Sequence, residues 1–300
     1  MDYVLPPQPQ TAVPVAGSAA LFPVRRVYCV GRNYAEHAKE MGFTGREDPF
    51  FFCKPADAVL SVADGETGKM PYPPKTSNLH YEMELVVVLG KGGRDIPVEE
   101  ANECVWGYAL GLDMTRRDLQ GEMKKQGRPW EVGKAFDLSA PLGPIHPRSV
   151  VGTLDKGAIW LDVNGQRKQA SDISQMIWNV PESIAYLSTL FELQPGDIIF
   201  TGTPEGVGAV VQGTSSPAVW KAWASCASKS FKVRPGLVSS PQERQHAQQD
   251  RADRLRRVRL RARRLQYRCG HGQRHVAPLS RVPTTPVSYT HLRAHETLRY

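Results

Sequence analysis

The chain has 300 residues and a formal net charge of +8, a balance that would suit a nucleic-acid-binding protein. The charge is unevenly distributed, because residues 1–212 hold 20 basic and 26 acidic residues whereas residues 213–300 hold 18 and 4. The mildly acidic first part is typical of a cytoplasmic enzyme. Because no apolar run reaches 18 residues, we also expect no membrane-spanning helix.

Residues 1–24 are interpreted as a Pro/Ala-rich arm, without the basic start of a secretory signal peptide. The five cysteines contain no CxxC pair, so those before residue 212 are expected to be reduced thiols, as in the cytoplasm. We expect one catalytic domain over residues 25–212 and a separate tail over residues 213–300.

Short strands dominate the predicted secondary structure, with a few helices between them. In chain order, the pattern predicts a strand at 27–30, a helix at 33–41, a strand at 49–52, loops over 64–74, a strand at 85–89, a helix at 98–104, a strand at 106–112 and a helix at 115–125. An Asn-Gly turn then joins 158–163 and 166–169 into a hairpin, before a helix at 180–191 and a strand at 198–201. This order favours an α+β fold with a large mixed sheet.

Acidic residues lead into the apolar strand at 85–89. In the segment HYEMEL, which begins at His80, the alternation of a strand places Glu82 and Glu84 on one face. Two carboxylates at that spacing repel each other unless a cation lies between them. Asp113 ends the second apolar strand, and three carboxylates from two strand ends suit one hard divalent cation. A solvated edge strand with surface acids would give the same spacing.

His37 and Glu40 lie three residues apart on the predicted helix at 33–41, close enough to hydrogen bond. A carboxylate beside a histidine can orient the ring and raise its basicity, which produces a general base for a water molecule. An ordinary surface pair has the same spacing, so the pattern alone leaves both interpretations open.

Three cations are candidates for substrate or charge stabilisation: Lys54 after PFFFC, Arg117 after the strand at 106–112, and Lys134 in WEVGKAFD. Arginine suits bidentate binding of a carboxylate, and a lysine near a metal can stabilise negative charge on oxygen. Adjacent residues cannot share a helix face, so we favour Arg117 over Arg116, whose charge would be solvated.

Two polar residues complete the set of candidates. Gln120 lies one turn after Arg117 on the predicted helix, and Thr203 lies in the Gly-rich segment TGTPEGVG. Thr203 could approach a ligand with its backbone and hydroxyl groups, although a plain turn explains the segment equally well.

Seven segments together resemble the fumarylacetoacetate hydrolase family. They run in family order from about residue 25 to residue 211 and are GRNYAEHAKEMG, PFFFCKP, LHYEMELVVVLGKGGRDI, GYALGLDMTRRDLQ, GRPWEVGKAFD, LDVNGQRKQ and GDIIFTGTPEGVG. Each segment is weak alone, but all seven in this order are highly specific. The phrases YPPKTSNLHYE and MTRRDLQ are most similar to the members that act on acylpyruvates.

The resemblance implies a twisted, mixed and mainly β roll with a few short helices, as in the C-terminal domain of that family. It also implies a cytoplasmic homodimer with one Mg²⁺ or Mn²⁺ per subunit. By position, the resemblance makes Glu82, Glu84 and Asp113 the metal ligands, His37, Glu40 and Lys134 the catalytic residues, and Arg117, Gln120, Lys54 and Thr203 the substrate-binding residues.

The implied reaction is metal-dependent hydrolysis of a carbon–carbon bond in a small dicarbonyl acid. Fumarylpyruvate, which would give fumarate and pyruvate in the degradation of aromatic compounds, is the expected substrate. The same site could decarboxylate oxaloacetate, or isomerise or hydrate a related diacid, because one fold supports many reactions. We expect no nucleic-acid partner, because the basic tail has neither interleaved aromatic residues nor a recognisable motif.

Residues 213–300 lead to a separate hypothesis, that they are an out-of-frame continuation and are disordered. Lysine is absent after Lys232, and nine of residues 251–270 are arginine, as expected of GC-rich DNA read in a wrong frame. Codons can be chosen for residues 213–232 so that a shifted frame reads HVVAGSVEGLGELRVKVV, which has the alternation of a pair of strands. A genuine basic extension is the alternative, and sequencing of the source DNA distinguishes the two.

Overall fold

The computed structural model of the chain describes residues 2–40, 42, 46–211, 215–220 and 229–234. The chain divides into two compact units, Met1–Leu237 and Val238–Tyr300, and the second unit lies outside the described residues. No helix among the described residues is long and apolar enough to cross a membrane.

Short strands make up most of the first unit, with six short helices among its described residues. The strands are β1 (Ala12–Pro14), β2 (Leu21–Pro23), β3 (Val27–Gly31), β4 (Phe50–Lys54), β5 (Val59–Ser61), β6 (Gly68–Pro71), β7 (Leu79–Tyr81), β8 (Met83–Leu89), β9 (Val105–Leu112), β10 (Thr115–Arg116), β11 (Ala140–Leu142), β12 (His146–Pro147), β13 (Ala158–Val163), β14 (Gln166–Asp172), β15 (Ile198–Phe200), β16 (Gly208–Val210), β17 (Ser215–Trp220) and β18 (Lys229–Arg234). The helices are α1 (Ala35–Glu40), α2 (Val98–Ala101), α3 (Arg117–Lys125), α4 (Glu131–Lys134), α5 (Arg148–Val151) and α6 (Val180–Leu190).

The largest sheet forms around the apolar strand β8, which is buried at every position, as expected of a strand covered on both faces. Its strands follow the order β4-β3-β15-β8-β9-β11-β5, with β12 paired to β9. Strand β8 pairs antiparallel with β9 and β15, whereas β15 pairs parallel with β3. Leu85 and Val87 belong to one apolar cluster, and Val86 and Val88 belong to a second. The core therefore lies on both sides of this strand.

Smaller sheets adjoin the large one. Five strands follow the order β14-β13-β17-β18-β6, and three follow the order β10-β7-β16. Asn164 and Gly165 have φ values of 52° and 77°, which form the tight turn between β13 and β14. Glu82 alone separates β7 from β8, so the three-stranded sheet meets the large sheet at this residue.

Helix α6 begins with a capping box. The side chain of Asn179 accepts a hydrogen bond from the backbone of Glu182, and the side chain of Glu182 accepts one from the backbone of Asn179, each at 3.0 Å. Ile184 and Leu187 of this helix are buried in the same apolar cluster as alternate residues of β8. The start of α6 is therefore held at a fixed position beside the large sheet.

The predicted α+β fold, mixed and mainly β with a few short helices, is confirmed. Most predicted elements are present, with ends shifted by a few residues. One prediction was wrong, because the expected loop over 64–74 contains β6. Residues 1–24, expected to be an arm, contain the paired strands β1 and β2. Strand β6 pairs with β18, far along the chain, so no local pattern could indicate it. The predicted helix at 98–104 ends as an α-helix at Ala101 and continues as a 3₁₀ turn.

The expected disorder of residues 213–300 differs from the structure at two places. Strand β17 pairs antiparallel with β13, and β18 pairs with β17 and with β6. The rest of the predicted tail lies outside the described residues. The predicted domain end at residue 212, and the hypothesis of an out-of-frame continuation, remain predictions.

Candidate active site

Three buried carboxylates converge where strands β8 and β9 meet. Glu82 precedes β8, Glu84 is its second residue, and Asp113 follows β9. Because β8 and β9 are antiparallel, the start of one lies beside the end of the other, and the N–H of Asp113 donates to the carbonyl oxygen of Glu82 at 2.8 Å. One carboxylate oxygen from each of the three residues lies within 4.8 Å of the other two. The alternation of β8 thus produces a compact acidic cluster.

Lys134, the last residue of helix α4, bridges two of these carboxylates. Its ammonium lies 2.7 Å from Oε2 of Glu82 and 2.6 Å from Oδ2 of Asp113. Burial tends to lower the pKa of Lys134, but the charges of Asp113 and Glu82 outweigh burial and raise it. The side chain is therefore a protonated hydrogen-bond donor fixed beside the carboxylates.

Lys54, at the end of β4, contacts the same cluster from another side. Its ammonium lies 2.8 Å from Oδ1 of Asp113. It also donates to the hydroxyl of Ser139 at 3.1 Å and to the backbone carbonyl oxygens of Met114 and Lys134. The lysine is buried, so these acceptors replace the water that its charge loses.

Arg117, the first residue of helix α3, forms an ion pair with Oε1 of Glu82. A second guanidinium nitrogen lies 3.4 Å from Oε1 of Gln120, which is buried one turn later on the same helix. Arg116 lies apart from the cluster, with its guanidinium 4.4 Å from the centre of the Phe136 ring. The structure therefore brings Arg117 and Gln120, but not Arg116, to the acidic cluster.

The two glutamates differ in their electrostatic surroundings. Burial tends to raise the pKa of Glu82, but the charges of Lys134 and Arg117 outweigh it and hold the pKa well below its usual range. Glu84 has the opposite balance, because burial and the charges of Asp113 and Glu82 raise its pKa. Its Oε2 accepts a hydrogen bond from the N–H of Gly202 at 2.7 Å.

The cluster has the chemistry of a site for a hard divalent cation. It supplies three carboxylate groups, the ligands that Mg²⁺ and Mn²⁺ prefer, within a space small enough for one ion. Lys134 and Arg117 already neutralise Glu82, whereas Glu84 is crowded by negative charge. A cation bound at this position would relieve that crowding, so the residues present fit such an ion.

His37 and Glu40 face each other on helix α1. Nδ1 of His37 lies 3.5 Å from Oε2 of Glu40. His37 is only 7% exposed, whereas the side chain of Glu40 is 52% exposed. His37 is among the groups that lower the pKa of the Glu82 carboxylate, which places its imidazole within electrostatic range of the acidic cluster.

Thr203 lies at the cluster, but its hydroxyl is already engaged. It donates to the carbonyl oxygen of Met83 at 2.9 Å and accepts from Nε2 of Gln169 at 2.9 Å. Gln169 also accepts from the N–H of Met83 and donates to the carbonyl oxygen of Pro204. These bonds tie the Gly-rich segment to the start of β8, which favours a supporting role for this threonine.

Eight of the ten predicted site residues lie in the acidic cluster or are bonded to its partners or adjoining backbone, whereas His37 and Glu40 form their own pair on helix α1. The roles of all ten remain predictions. Sequence reasoning missed Gln169 and Asn33, two buried amides that hold the surrounding backbone. It also missed the N–H of Gly202 as a partner of Glu84. The Gly-rich TGTPEGVG was the only signal, and it pointed to the neighbouring threonine.

Comparison with known proteins identifies the family of this chain. The family model described as fumarylacetoacetate (FAA) hydrolase, C-terminal, matches residues 26–237. A fumarylpyruvate hydrolase from a Ralstonia species is 52% identical over 167 residues, which are 56% of this chain and 84% of the relative. The human mitochondrial oxaloacetate tautomerase is 44% identical over 186 residues, which are 62% of this chain and 82% of the relative.

A solved structure is also similar to this chain. The crystal structure of fumarylpyruvate hydrolase from Pseudomonas aeruginosa in complex with Mn²⁺ and pyruvate is 56% identical to this chain and has a TM-score of 0.75. The match covers 78% of this chain and 100% of that one. The chain is therefore a member of the fumarylacetoacetate hydrolase family of enzymes.

Proposed function

We propose that this protein hydrolyses a carbon–carbon bond in an acylpyruvate, and that fumarylpyruvate is its substrate. The observation that carries the proposal is the buried His37, which is paired with Glu40 and lies within electrostatic range of a cluster of three carboxylates. This arrangement combines a site for a divalent cation with a group that can activate water. The similarity to two fumarylpyruvate hydrolases supports the choice of substrate.

We assign the cation to Glu82, Glu84 and Asp113, with Mg²⁺ or Mn²⁺ as the ion, one per subunit. Three carboxylates are a hard donor set that accepts either ion, and the relative from Pseudomonas aeruginosa was crystallised with Mn²⁺ and pyruvate. When bound, the ion would supply positive charge that binds the oxygens of a 2,4-dioxo acid and favours an enolate.

Water activation belongs to His37 and Glu40 in this proposal. The carboxylate orients the imidazole and makes it a better base, so the pair can take a proton from water. The resulting hydroxide adds to the acyl carbonyl carbon of the substrate. Because His37 is shielded from solvent and Glu40 is half exposed, the proton can pass outward through the glutamate.

Cleavage follows when the adduct collapses. The bond between the acyl carbon and C3 of the pyruvyl group breaks, and its electron pair moves into an enolate of pyruvate. Lys134 donates a hydrogen bond to the enolate oxygen, for which its raised pKa keeps it protonated. A proton then adds at C3, so the products are pyruvate and a carboxylic acid, which is fumarate when the acyl group is fumaryl.

Four residues would bind the substrate in this scheme: Arg117, Gln120, Lys54 and Thr203. Arg117 offers a planar pair of donors for a carboxylate, and Gln120 supports its guanidinium. Lys54 adds positive charge beside Asp113. We assign Thr203 to the same group through its backbone, because its hydroxyl is used within the protein.

A second candidate function is tautomerisation or decarboxylation of oxaloacetate. It is favoured by relatives that are 43–44% identical and are named oxaloacetate decarboxylase and oxaloacetate tautomerase. Both reactions pass through the enolate of a 2-oxo acid and need no attacking water, so they would use Lys134 and the carboxylates without a hydrolytic step. The isomerisation or hydration of other diacids belongs to the same class.

The resemblance also leads us to propose a homodimer in the cytoplasm, with a small dicarbonyl acid as its ligand and no nucleic-acid partner. Sedimentation or light scattering measures the dimer directly. A monomer at micromolar concentration would remove the first part of this proposal.

A product assay tests the proposed function. Purified protein is incubated with Mn²⁺ or Mg²⁺ and, separately, with fumarylpyruvate, acetylpyruvate and oxaloacetate. The amounts of pyruvate and of the matching acid are measured, together with those of carbon dioxide and the enol form of oxaloacetate. We expect fumarate and pyruvate in equal amounts from fumarylpyruvate. Turnover of oxaloacetate without any acylpyruvate hydrolysis would favour the second candidate instead.

A further inference from the structure

Asn33 lies between strand β3 and helix α1, four residues before His37, and is buried. Its side-chain amide donates to the carbonyl oxygens of Trp178 and Thr201, each at 2.8 Å. Its Oδ1 accepts from the N–H of Trp178 at 2.7 Å. Both amide hydrogens and the oxygen are thus engaged, which fixes the side chain in one orientation.

The backbone at Asn33 is held by the same segment of chain. Its carbonyl oxygen accepts from the N–H of Ile177 at 2.8 Å, and Tyr34 pairs with Met176 in an isolated bridge. Residues 176–178 immediately precede the capped and buried helix α6. The start of helix α1 is therefore anchored to a rigid part of the fold.

Asn33 also contacts the turn that binds Glu84. A Cβ added to Gly202 would lie 2.6 Å from Cβ of Asn33, so the two residues pack with no room for a side chain between them. Gly202 has a φ of 97°, which favours glycine as well. Since the N–H of Gly202 donates to Glu84, the side chain of Asn33 connects the N-terminal end of helix α1 to the backbone at the acidic cluster.

The chain after helix α1 returns to the same segment at Arg46. Its guanidinium lies 4.1 Å from the centre of the Trp178 ring and 2.7 Å from Oε1 of Glu182. The indole N–H of Trp178 donates to the carbonyl oxygen of Glu47 at 3.0 Å. These contacts involve partly exposed groups and are individually weak. The buried hydrogen bonds of Asn33 are therefore the stronger restraint on the helix.

We propose that Asn33 is a positioning residue, which fixes His37 and Glu40 relative to the carboxylates through helix α1. This inference rests on the proposed function, since it assigns the water-activating role to that pair. Strands β8 and β9 and the hydrogen bonds of Lys134 hold Glu82 and Asp113 directly, whereas Asn33 meets the cluster at the backbone of Gly202. Loosening Asn33 should thus displace the hydrolytic pair and leave the enolate-stabilising groups in place.

The test uses Asn33→Asp, which keeps Oδ1 as an acceptor but removes both N–H donors, and the neutral Asn33→Ser. We expect kcat for fumarylpyruvate hydrolysis to fall by roughly 100-fold, the effect of a misplacement of about 1 Å, while kcat for oxaloacetate decarboxylation or tautomerisation stays at the wild-type value. The matched control is Asn179→Ala. It removes the cap of helix α6 on the same segment and should lower thermal stability without changing the ratio of the two activities.

A double-substitution cycle with His37→Ala separates positioning from a general loss of stability. If Asn33 acts through the pair, adding Asn33→Asp to His37→Ala should reduce hydrolysis no further. Additive losses, or an equal fall of both activities in the single variants, would overturn the inference. So would failure of both Asn33 variants to fold, because Asn33 would then serve the fold as a whole.

Amide hydrogen exchange gives a readout that needs no activity. In Asn33→Asp, the amides of Ala35–Glu40 and of residues 177–178 should exchange faster, while those of β8 and β9 are unchanged. Unchanged exchange in helix α1 would contradict the positioning role. If the wild-type protein hydrolyses no acylpyruvate, the proposed function fails, and the exchange experiment still decides whether Asn33 restrains this helix.

Discussion

The ammonium of Lys134 lies 2.6 Å from Oδ2 of Asp113, and both side chains are almost completely buried. Neither charge has water to solvate it, so each depends on the other. Asp113 and Glu82 raise the pKa of Lys134 against the effect of burial. A group whose folded pKa is raised contributes its full stability below the unfolded pKa. The ion pair is therefore fully formed at neutral pH.

Removing this charge should destabilise the protein strongly. Lys134→Met leaves two buried carboxylates without their shared donor, and we expect the free energy of unfolding to fall by about 3–5 kcal/mol. Urea denaturation at pH 7 without divalent ions measures the change. Lys168→Met, an exposed lysine on the hairpin strand β14, is the control and should stay within about 0.5 kcal/mol of wild type. If the free energy of unfolding fell equally in the two variants, Lys134 would not stabilise the buried carboxylates more than an exposed lysine does.

Glu84→Gln tests the metal site. The glutamine side chain keeps an oxygen that can accept a hydrogen bond from the N–H of Gly202. The substitution removes a negative charge that is repelled by Asp113 and Glu82. We expect the ion-free protein to be at least as stable as wild type. Loss of a residue that only supports a metal ligand lowers metal affinity by roughly 10- to 100-fold. Glu84 is a proposed ligand itself, so its substitution should lower the affinity for Mn²⁺ by more than this. Titration calorimetry gives the affinity, and exposed Glu66→Gln is the control.

His37→Ala should separate the hydrolytic step from binding of the ion. His37 is not one of the proposed metal ligands, so we expect the affinity for Mn²⁺ to be unchanged. Hydrolysis of fumarylpyruvate should fall by roughly 10²- to 10⁴-fold, the usual contribution of a general base, whereas enolisation of oxaloacetate should persist. Steady-state kinetics with both substrates measures this, with exposed Glu36→Gln on the same helix as the control. Hydrolysis at the wild-type rate would remove His37 from the mechanism.

The acidic cluster could be predicted because its signals are local. A period of two puts Glu82 and Glu84 on one face of β8, and Asp113 directly follows the apolar run of β9. Their approach requires only that the two strands pair antiparallel. The chemistry of three carboxylates then follows from residue type alone.

The supporting residues could not be predicted in this way. Asn33 bonds to backbone groups 145 and 168 residues away, and Gln169 bonds to Met83 across 86 residues. Such partners depend on the completed fold and leave no periodic pattern. Strand β6 was missed for the same reason, because it pairs with β18. Thr203 illustrates the converse, since a Gly-rich segment cannot distinguish a hydroxyl that binds a ligand from one bonded within the protein.

Asp118 provides a prediction about pH. Its carboxylate accepts from the hydroxyl of Thr76 at 2.6 Å and from the N–H of Ser77 at 3.0 Å. Slight burial tends to raise the pKa of Asp118, but these hydrogen bonds outweigh it and lower the pKa below its ordinary value of 3.8. A carboxylate with a depressed folded pKa contributes stability above the unfolded pKa, and that stability is lost as pH falls through the folded pKa.

Asp118→Ala should therefore destabilise the protein at pH 7 but not in acid. Because the residue is exposed and water screens its charge, we expect a loss of only about 0.5–1 kcal/mol at pH 7. The difference from wild type should shrink once the pH falls below about 4 and vanish below the folded pKa. Urea denaturation across this range measures it, with Asp57→Ala, another exposed aspartate, as the control. A difference that persists in acid would mean that Asp118 stabilises the fold by packing and not through its ionised carboxylate.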